Sequence, residues 1–576
     1  MRKPFLYLLC CWIALPQLMA QPTVFQQSNG KRTATYAELM RWYQDFDRKH
    51  RQAQMMPYGE TDAGEPLHLL LWDPSRSFNP MLWQQQQRLV VLVNNGIHPG
   101  EPDGIDASML LLQDLASGKY VLPDRVSLVF IPVYNVGGHQ NRNSFSRANQ
   151  DGPESYGFRG NSRNLDLNRD FVKADSKEAL SFNRLFTWLD PDIFIDTHVS
   201  DGADYQHTMT LITTQYEKLS FALGTWLKSV YEPALFSSME KRGEIMCPYV
   251  DFEFEEPDAG MQMFFDPPRY STGYASLFQT LAFMPETHML KPYPQRVRAT
   301  QMLLEEMIRL GGQYRTTIKA KRKESREALL EAKQLPIRWK VDSTQTTSIR
   351  FLGYDKDTII SAATQLPQYR FNRNKPFDKQ VRYWNTRKPA EDRTVPNVYL
   401  LPKGWHNIRE RLQANGVYME RIQRDTMIRV EQYHITNYNT YNRAYEMHYK
   451  HYQVQLQRDT VMMLFQPGDW MISTQQAARR YLFEALEPDT EDSFFAWNLF
   501  DGILQQKEGY SAYRWDSLAA EWLKKNPTLQ RELDAKRASD PAFAKNAAAQ
   551  LDWIYKRSPY YESSHLRYPV YRSIAP

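Results

Sequence analysis

From Tyr36 to Gly312 short apolar runs alternate with stretches of helical periodicity, and this confines the region to an α/β architecture. Runs at Leu67 to Trp72, Leu89 to Asn94, Val126 to Val133, Ile193 to Thr197, Met209 to Thr213 and Thr280 to Glu286 read as strands. Pro102 to Ala116, Glu178 to Leu189 and Pro294 to Leu310 read as helices. Pro102 suits a first helical position, with Asp103 and Asp106 at the positive end of the helix dipole. The second strand runs straight into NNGIHPGEPD, so His98 and Glu101 stand in the loop just past a buried strand.

At 576 residues the chain exceeds one ordinary core. The α/β segment is expected to form a domain over 21–315, followed by a solvated charged helical linker at 316–336 (KAKRKESREALLEAK). Alternating patterns such as MIRVEQYHI predict a β-rich domain over 337–474, and SLAAEWLKKN and DPAFAKNAAAQLDWIY predict a helical region over 475–576. Residues 1–20 read as a signal peptide: Arg2 and Lys3, an apolar run from Phe5 to Leu15, then Leu18-Met19-Ala20. This predicts an exported protein, periplasmic or secreted, and no later segment has the apolar length of a membrane span.

The net charge of +5 falls by the two charges of Arg2 and Lys3 to +3, which gives no electrostatic case for nucleic acid. Of three cysteines, Cys10 and Cys11 lie in the leader and only Cys247 remains. That excludes an internal disulfide and a multi-thiolate metal site in the mature chain.

Four segments carry the chemistry. His98 and Glu101 offer two metal ligands, and His198, in DIFIDTHVSDG, stands at the end of another apolar strand as a third. Two imidazoles and a carboxylate bind zinc with one position open, and zinc would lower the pKa of a bound water to about 7. Asp196, two residues before His198, is a candidate to support it. Glu286, ending the strand LAFMPETH, is the candidate general base. FRGNSRNLDLNRDF holds Asn168 and the arginines Arg159, Arg163 and Arg169, whose guanidinium groups suit an oxyanion or a substrate carboxylate.

Taken in order, HPGE at 98–101, DLNR at 166–169, DTH at 196–198 and the late-strand Glu286 resemble the M14 family of zinc carboxypeptidases. The resemblance covers about Thr35 to Leu310. It implies a mixed eight-stranded sheet flanked by helices, with one zinc at the sheet edge held by His98, Glu101 and His198. It makes Glu286 the base, Arg159 (nine residues before Asn168, and so preferred to Arg163) the group polarising the carbonyl, and Asn168 and Arg169 the clamp for the substrate's terminal carboxylate. Tyr270 and Tyr274, in PPRYSTGYASL, are both candidates for the tyrosine that covers that carboxylate, and Arg269 is a candidate to select an acidic side chain. The chain departs from the family's Asn-Pro-Asp-Gly at Asn135-Val136-Gly137-Gly138.

The expected function is an exported zinc carboxypeptidase acting on peptides with a free terminal carboxylate. Its alternatives are a zinc amidohydrolase for N-acyl amino acids or peptidoglycan-derived amides, and an inactive peptide- or glycan-binding protein. Glu446, His448 and His451 in YEMHYKHY do not share one strand face, which argues against a second metal site. The Tyr- and Trp-rich C-terminal modules offer a surface for glycan or cell-wall contact.

Overall fold

The computed structural model describes residues 21–249 and 257–573. The expected leader at 1–20 lies outside the described residues. Contacts divide the chain into two compact units, one of residues 1–331 with 339–388 and the other of 332–338 with 389–576.

The first unit is built on a mixed sheet. Its strands are β1 (Ala53–Glu60), β2 (Pro66–Trp72), β3 (Leu89–Asn94), β4 (Val126–Ile131), β5 (Ile193–Asp196), β6 (His198–Ser200), β7 (Met209–Thr213), β8 (Cys247–Pro248) and, after the short β9 (Met261–Gln262), β10 (Leu281–His288). The order across the sheet is β1-β2-β4-β3-β5-β10-β7-β8, and β6 pairs with β10. Since β5 and β6 both run parallel to β10 and are separated only by Thr197, they are one interrupted strand, and the sheet has eight positions. The central strands β4, β3, β5 and β10 are mutually parallel, while β2 and β7 flank them antiparallel.

Every residue of β3, β4 and β5 is buried, as expected of a sheet covered on both faces. The helix Asp103–Ser117 follows β3, with Asp103 and Asp106 in its first turn and Gly118 closing it at φ 75°. Pro102 stands one residue before the helix rather than inside it. Lys177–Leu189 starts on the Ser176 side chain, which accepts the Ala179 N–H, and the helix Tyr293–Gln313 is anchored by Arg296 Nε to Asp103 at 2.9 Å.

Two expectations change here. The charged segment after Gly312 is helical, at Arg315–Glu331, but it is not a solvated linker. Ile318, Arg322 and Ser325 are buried, and Arg322 and Lys319 pair with Asp190 and Asp192 at the start of β5. The β-rich region is also shared between units. A long hairpin, Thr347–Ile360 with Pro367–Trp384, pairs with β9 and puts Phe351, Val381 and Tyr383 into the first unit's core. Burial of those three rings and side chains assigns the hairpin to the first unit.

The second unit carries a six-stranded antiparallel sheet in the order Glu420–Arg421, Trp470–Ser473, Val398–Leu401, Tyr571–Ser573, Thr426–Thr440 and His451–Phe465. The strand Tyr571–Ser573 comes from the end of the helical C-terminal region, so strand and helix regions share one body. The helices Ala512–Lys525, Pro527–Ser539 and Ala547–Tyr555 enclose a separate small core around Trp515, Leu533 and Tyr555.

Cys247 is 1% exposed on β8, and burial pushes its thiol above the usual cysteine range. The native protein is therefore expected to resist alkylation at Cys247 at pH 8 and to react once unfolded. Peptide mapping after iodoacetamide treatment, with and without denaturant, checks this.

Candidate metal centre

The parallel strands β3, β5/β6 and β10 all end on the same edge, and the loops there bring the candidate residues together. His98 and Glu101 follow β3 in a tight turn closed by the Glu101 N–H to His98 carbonyl bond, 2.8 Å. His198 opens β6 and is in register with Glu286 on β10, so their side chains leave adjacent strands on one face. Gly104 lets the first turn of the following helix lie against Thr197, because a Cβ there would meet Thr197 Oγ1 at 2.0 Å.

Ligand atoms of His98, Glu101 and His198 lie within 4.8 Å of one another, and all three residues are buried. Each histidine turns Nδ1 to a different oxygen of Glu101, at 3.1 Å in both cases. Each Nε2 is held by a carboxylate, Asp166 for His98 at 2.8 Å and Asp196 for His198 at 3.0 Å. Asn94, at the end of β3, donates in turn to Asp196 at 2.9 Å.

This pattern decides what the site fits. In neutral imidazoles whose Nε2–H groups donate to Asp166 and Asp196, both Nδ1 lone pairs face the lone pairs of Glu101. Four acceptor atoms converge with no proton between them unless a positive charge is supplied. Burial alone would lower His198, yet Asp196 and Glu101 hold it well above the usual histidine range. Burial alone would raise Glu101, yet Arg147, His98 and His198 hold it well below the usual carboxylate range. A donor set of two imidazoles and one carboxylate that gathers positive charge fits a divalent cation such as zinc.

Glu286 is 9% exposed beside this set. Burial pushes its carboxyl up to about 8, with Glu101 and Asp196 adding to the shift and His198 and Arg159 opposing it. Arg159 lies on the open side, its side chain 46% exposed, 3.7 Å from Glu101 and bonded through Nε to Asp166 at 2.9 Å. Arg163 turns away, to the Asp175 carbonyl at 2.8 Å and to Asp62 at 3.8 Å. Of the two arginines, Arg159 is the one the fold directs to the donor set.

The DLNR segment forms a 3-10 turn capped by Asp166, which accepts the Asn168 N–H at 2.9 Å. Asn168 is buried and accepts the Ser271 N–H at 3.2 Å. That bond ties the segment to the residues just after Tyr270. The Arg169 guanidinium lies 4.2 Å above the Tyr270 ring. Tyr270 is half-buried and borders this arginine, while Arg269 is buried behind it.

Tyr274 is different. It is 0% exposed and packs among Phe171, Phe182, Phe186 and Phe278. Its ring belongs to the core, so of the two tyrosines only Tyr270 borders Arg169.

No protein-family model matches the sequence. Carboxypeptidase 2 of Trichophyton rubrum is 21% identical over 441 residues, spanning 72% of this chain and 74% of that protein. Carboxypeptidase 2 of Trichophyton tonsurans is 20% identical over 433 residues, with the same two shares. The chain is similar to metallocarboxypeptidases. Among solved structures, a metallo-carboxypeptidase from Burkholderia cenocepacia matches with a TM-score of 0.34 and 17% identity, over 46% of this chain and 66% of that one. The Pseudomonas aeruginosa metallo-carboxypeptidase in complex with (2-guanidinoethylmercapto)succinic acid matches with a TM-score of 0.34 and 16% identity, over 48% and 68%.

Besides Asp166, which holds His98 Nε2, two residues at the site escaped the sequence reading. Arg147 donates to Glu101 Oε1 from a polar loop with no distinguishing spacing. Its signal is indirect: a Cβ on Gly100 would meet Arg147 Nε at 2.4 Å, so the glycine of HPGE leaves room for that guanidinium. The second is Asn135, which keeps the Asn of Asn-Pro-Asp-Gly just before the chain departs from it at Val136. Its side chain accepts from Gly138 N–H at 2.8 Å and donates to the carbonyls of Arg159 at 2.9 Å and Ile97 at 3.3 Å. It thereby fixes the loop of His98 against the loop of Arg159. In the second unit both ring nitrogens of His451 are engaged, by Thr440 and by Asp501 and Asn498.

Proposed function

We propose that the protein is an exported zinc metallocarboxypeptidase that removes C-terminal residues from peptides with a free carboxylate. The observation that carries this reading is the grouping of His98, Glu101 and His198 beside Glu286, with Arg159 and Arg169 on the open side. The likeness to carboxypeptidase 2 supports it, and the leader supports export.

His98 Nδ1, His198 Nδ1 and a carboxylate oxygen of Glu101 would hold the zinc. Bound there, zinc supplies Lewis acidity for the attacking water and the scissile carbonyl. Glu286 takes the water's proton at its carboxylate and delivers it to the leaving amine. Arg159 stabilises the negative charge that builds on the carbonyl oxygen. Arg169 and Asn168 bind the terminal carboxylate, and Tyr270, stacked on Arg169, closes over it. Asp166 and Asp196 keep Nε2 of the two histidines protonated, so each Nδ1 presents a lone pair.

A peptide library analysed by mass spectrometry tests the reading. Free-acid peptides are expected to lose C-terminal residues, and C-terminally amidated ones to be cut slower by about 10²-fold or more, because the guanidinium clamp loses its partner. A chelator is expected to abolish the cleavage and added zinc to restore it. Equal cutting of amidated peptides would remove the clamp from the mechanism. Turnover of small N-acyl amino acids with none of peptides would assign the site to amidohydrolysis.

A further inference from the structure

At the tip of the longest hairpin of the second unit, Thr426–Thr440 with His451–Phe465, aromatic rings surround a cavity of about 430 Å³. Tyr441, Tyr445 and Tyr452 form its walls, with Tyr441 5.4 Å from Tyr452 and 6.1 Å from Tyr445 between ring centroids. Tyr441 is 38% exposed and Tyr452 40%, so ring surface faces solvent where a packed core would hide it. Asn442 and Arg443 stand at the same rim, exposed, with no side-chain hydrogen bond or ion pair among the described residues.

A second observation concerns the backbone. Tyr445 and His448 exchange both N–H to carbonyl bonds, at 2.8 and 3.0 Å, around a two-residue turn made by Glu446 and Met447. Both turn residues have positive φ, 49° and 69°, in positions that normally take Asn-Gly. Two adjacent non-glycine residues in the left-handed region are costly and persist only where surrounding packing imposes them. Trp497, fully buried, does so: Tyr445 stacks on it at 5.9 Å and His448 meets it edge-on at 5.6 Å. The strained turn holds Tyr445 rigidly in the cavity wall.

We propose that this cavity binds a carbohydrate bearing carboxylate groups, independently of the hydrolase reading. Rigid, solvent-facing aromatic rings offer stacking surfaces for the C–H face of a pyranose. The Asn442 amide offers a donor and an acceptor to vicinal hydroxyls, and the Arg443 guanidinium offers paired donors to a carboxylate. No acidic side chain lines the cavity to oppose that charge. This narrows the glycan contact expected of the C-terminal modules to one site of defined chemistry.

Affinity electrophoresis of the full-length protein through gels containing polygalacturonate, dextran or poly-L-glutamate tests the proposal. Polygalacturonate is expected to retard the protein most, dextran less, and poly-L-glutamate not at all. The double variant Tyr441→Ala, Tyr452→Ala is expected to bind polygalacturonate at least about tenfold more weakly. Tyr452→Phe, which keeps the ring, should retain binding. Arg443→Gln alters an exposed side chain and should lose the preference for polygalacturonate over dextran with an unchanged thermal melt. The proposal is overturned if neither polysaccharide retards the protein, or if poly-L-glutamate retards it equally. It is also overturned if a proline-rich peptide occupies the site in place of the polysaccharides, or if Arg443→Gln leaves the preference intact.

Discussion

Glu286→Gln is expected to reduce kcat by about 10²–10⁴-fold while leaving zinc affinity within a few-fold of the parent protein. The amide preserves size and one acceptor but cannot take a proton from water. Glu286 is not among the three convergent donors, so the metal stoichiometry measured after dialysis should stay at one per chain. His198→Ala should behave in the opposite way, losing the metal and the turnover together. The comparison separates a base from a ligand. The parent's pH profile adds a second check. A general base must be ionised, so the rate should rise with pH through the Glu286 pKa. Without a cation, burial places that group at about 8, and a divalent cation in the same cluster lowers it. The acidic limb should therefore lie below pH 8 and should be absent from whatever residual rate Glu286→Gln retains. If Glu286→Gln kept the parent kcat, another group would have to be the base.

The site and its supporting sheet were readable because they depend on short-range signals. Buried strands such as Leu89–Asn94 are apolar runs rich in valine, and His98, Glu101, His198 and Glu286 each stand within a few residues of such a run's end. Features set by distant partners left little trace. Strand β1, AQMMPYGE, is a bulged edge strand containing Pro57, half-exposed and without regular apolar–polar alternation, so it does not read as a strand. Tyr270 and Tyr274 are equivalent in sequence, and only the aromatic cluster of Phe171, Phe182 and Phe186 decides that Tyr274 is core. Arg147 reaches Glu101 across 46 residues, so nothing local announces it. The segment KAKRKESREALLEAK has the composition of a solvated helix, and its carboxylate partners Asp190 and Asp192 lie more than a hundred residues upstream.

Arg322→Met is expected to loosen the helix Arg315–Glu331 by about 3 kcal/mol, because one partner of a buried ion network is removed while the carboxylates stay. Arg322 is buried and reaches Asp192 through Nη1, Asp190 through Nη2 at 2.9 Å and the Gln279 carbonyl through Nε at 3.0 Å. Asp192 also accepts the Val90 N–H at 3.0 Å, so the network ties the helix to the starting ends of β3 and β5, at the edge of the sheet opposite the metal-binding one. Lys319 still pairs with Asp192 at 2.7 Å and Arg326 with Asp190, which keeps the effect at the lower end for a broken buried pair. By hydrogen exchange, amides within the helix should open about two orders of magnitude more often in the variant at pH 7. Lys323→Met, which removes an exposed pair with Glu327 at 3.8 Å, should change the rate by less than about fivefold. Acid should narrow the gap. Burial would raise the Asp190 carboxyl, but Arg322 and Arg326 hold it well below the usual range. A carboxylate depressed in the folded state contributes stability above its unfolded pKa of about 3.9 and loses it progressively as the pH falls further. The difference between parent and variant should therefore be full at pH 7 and smaller at pH 3. A difference that did not shrink in acid would point to packing of the arginine's aliphatic stem, with the ion pairs contributing little.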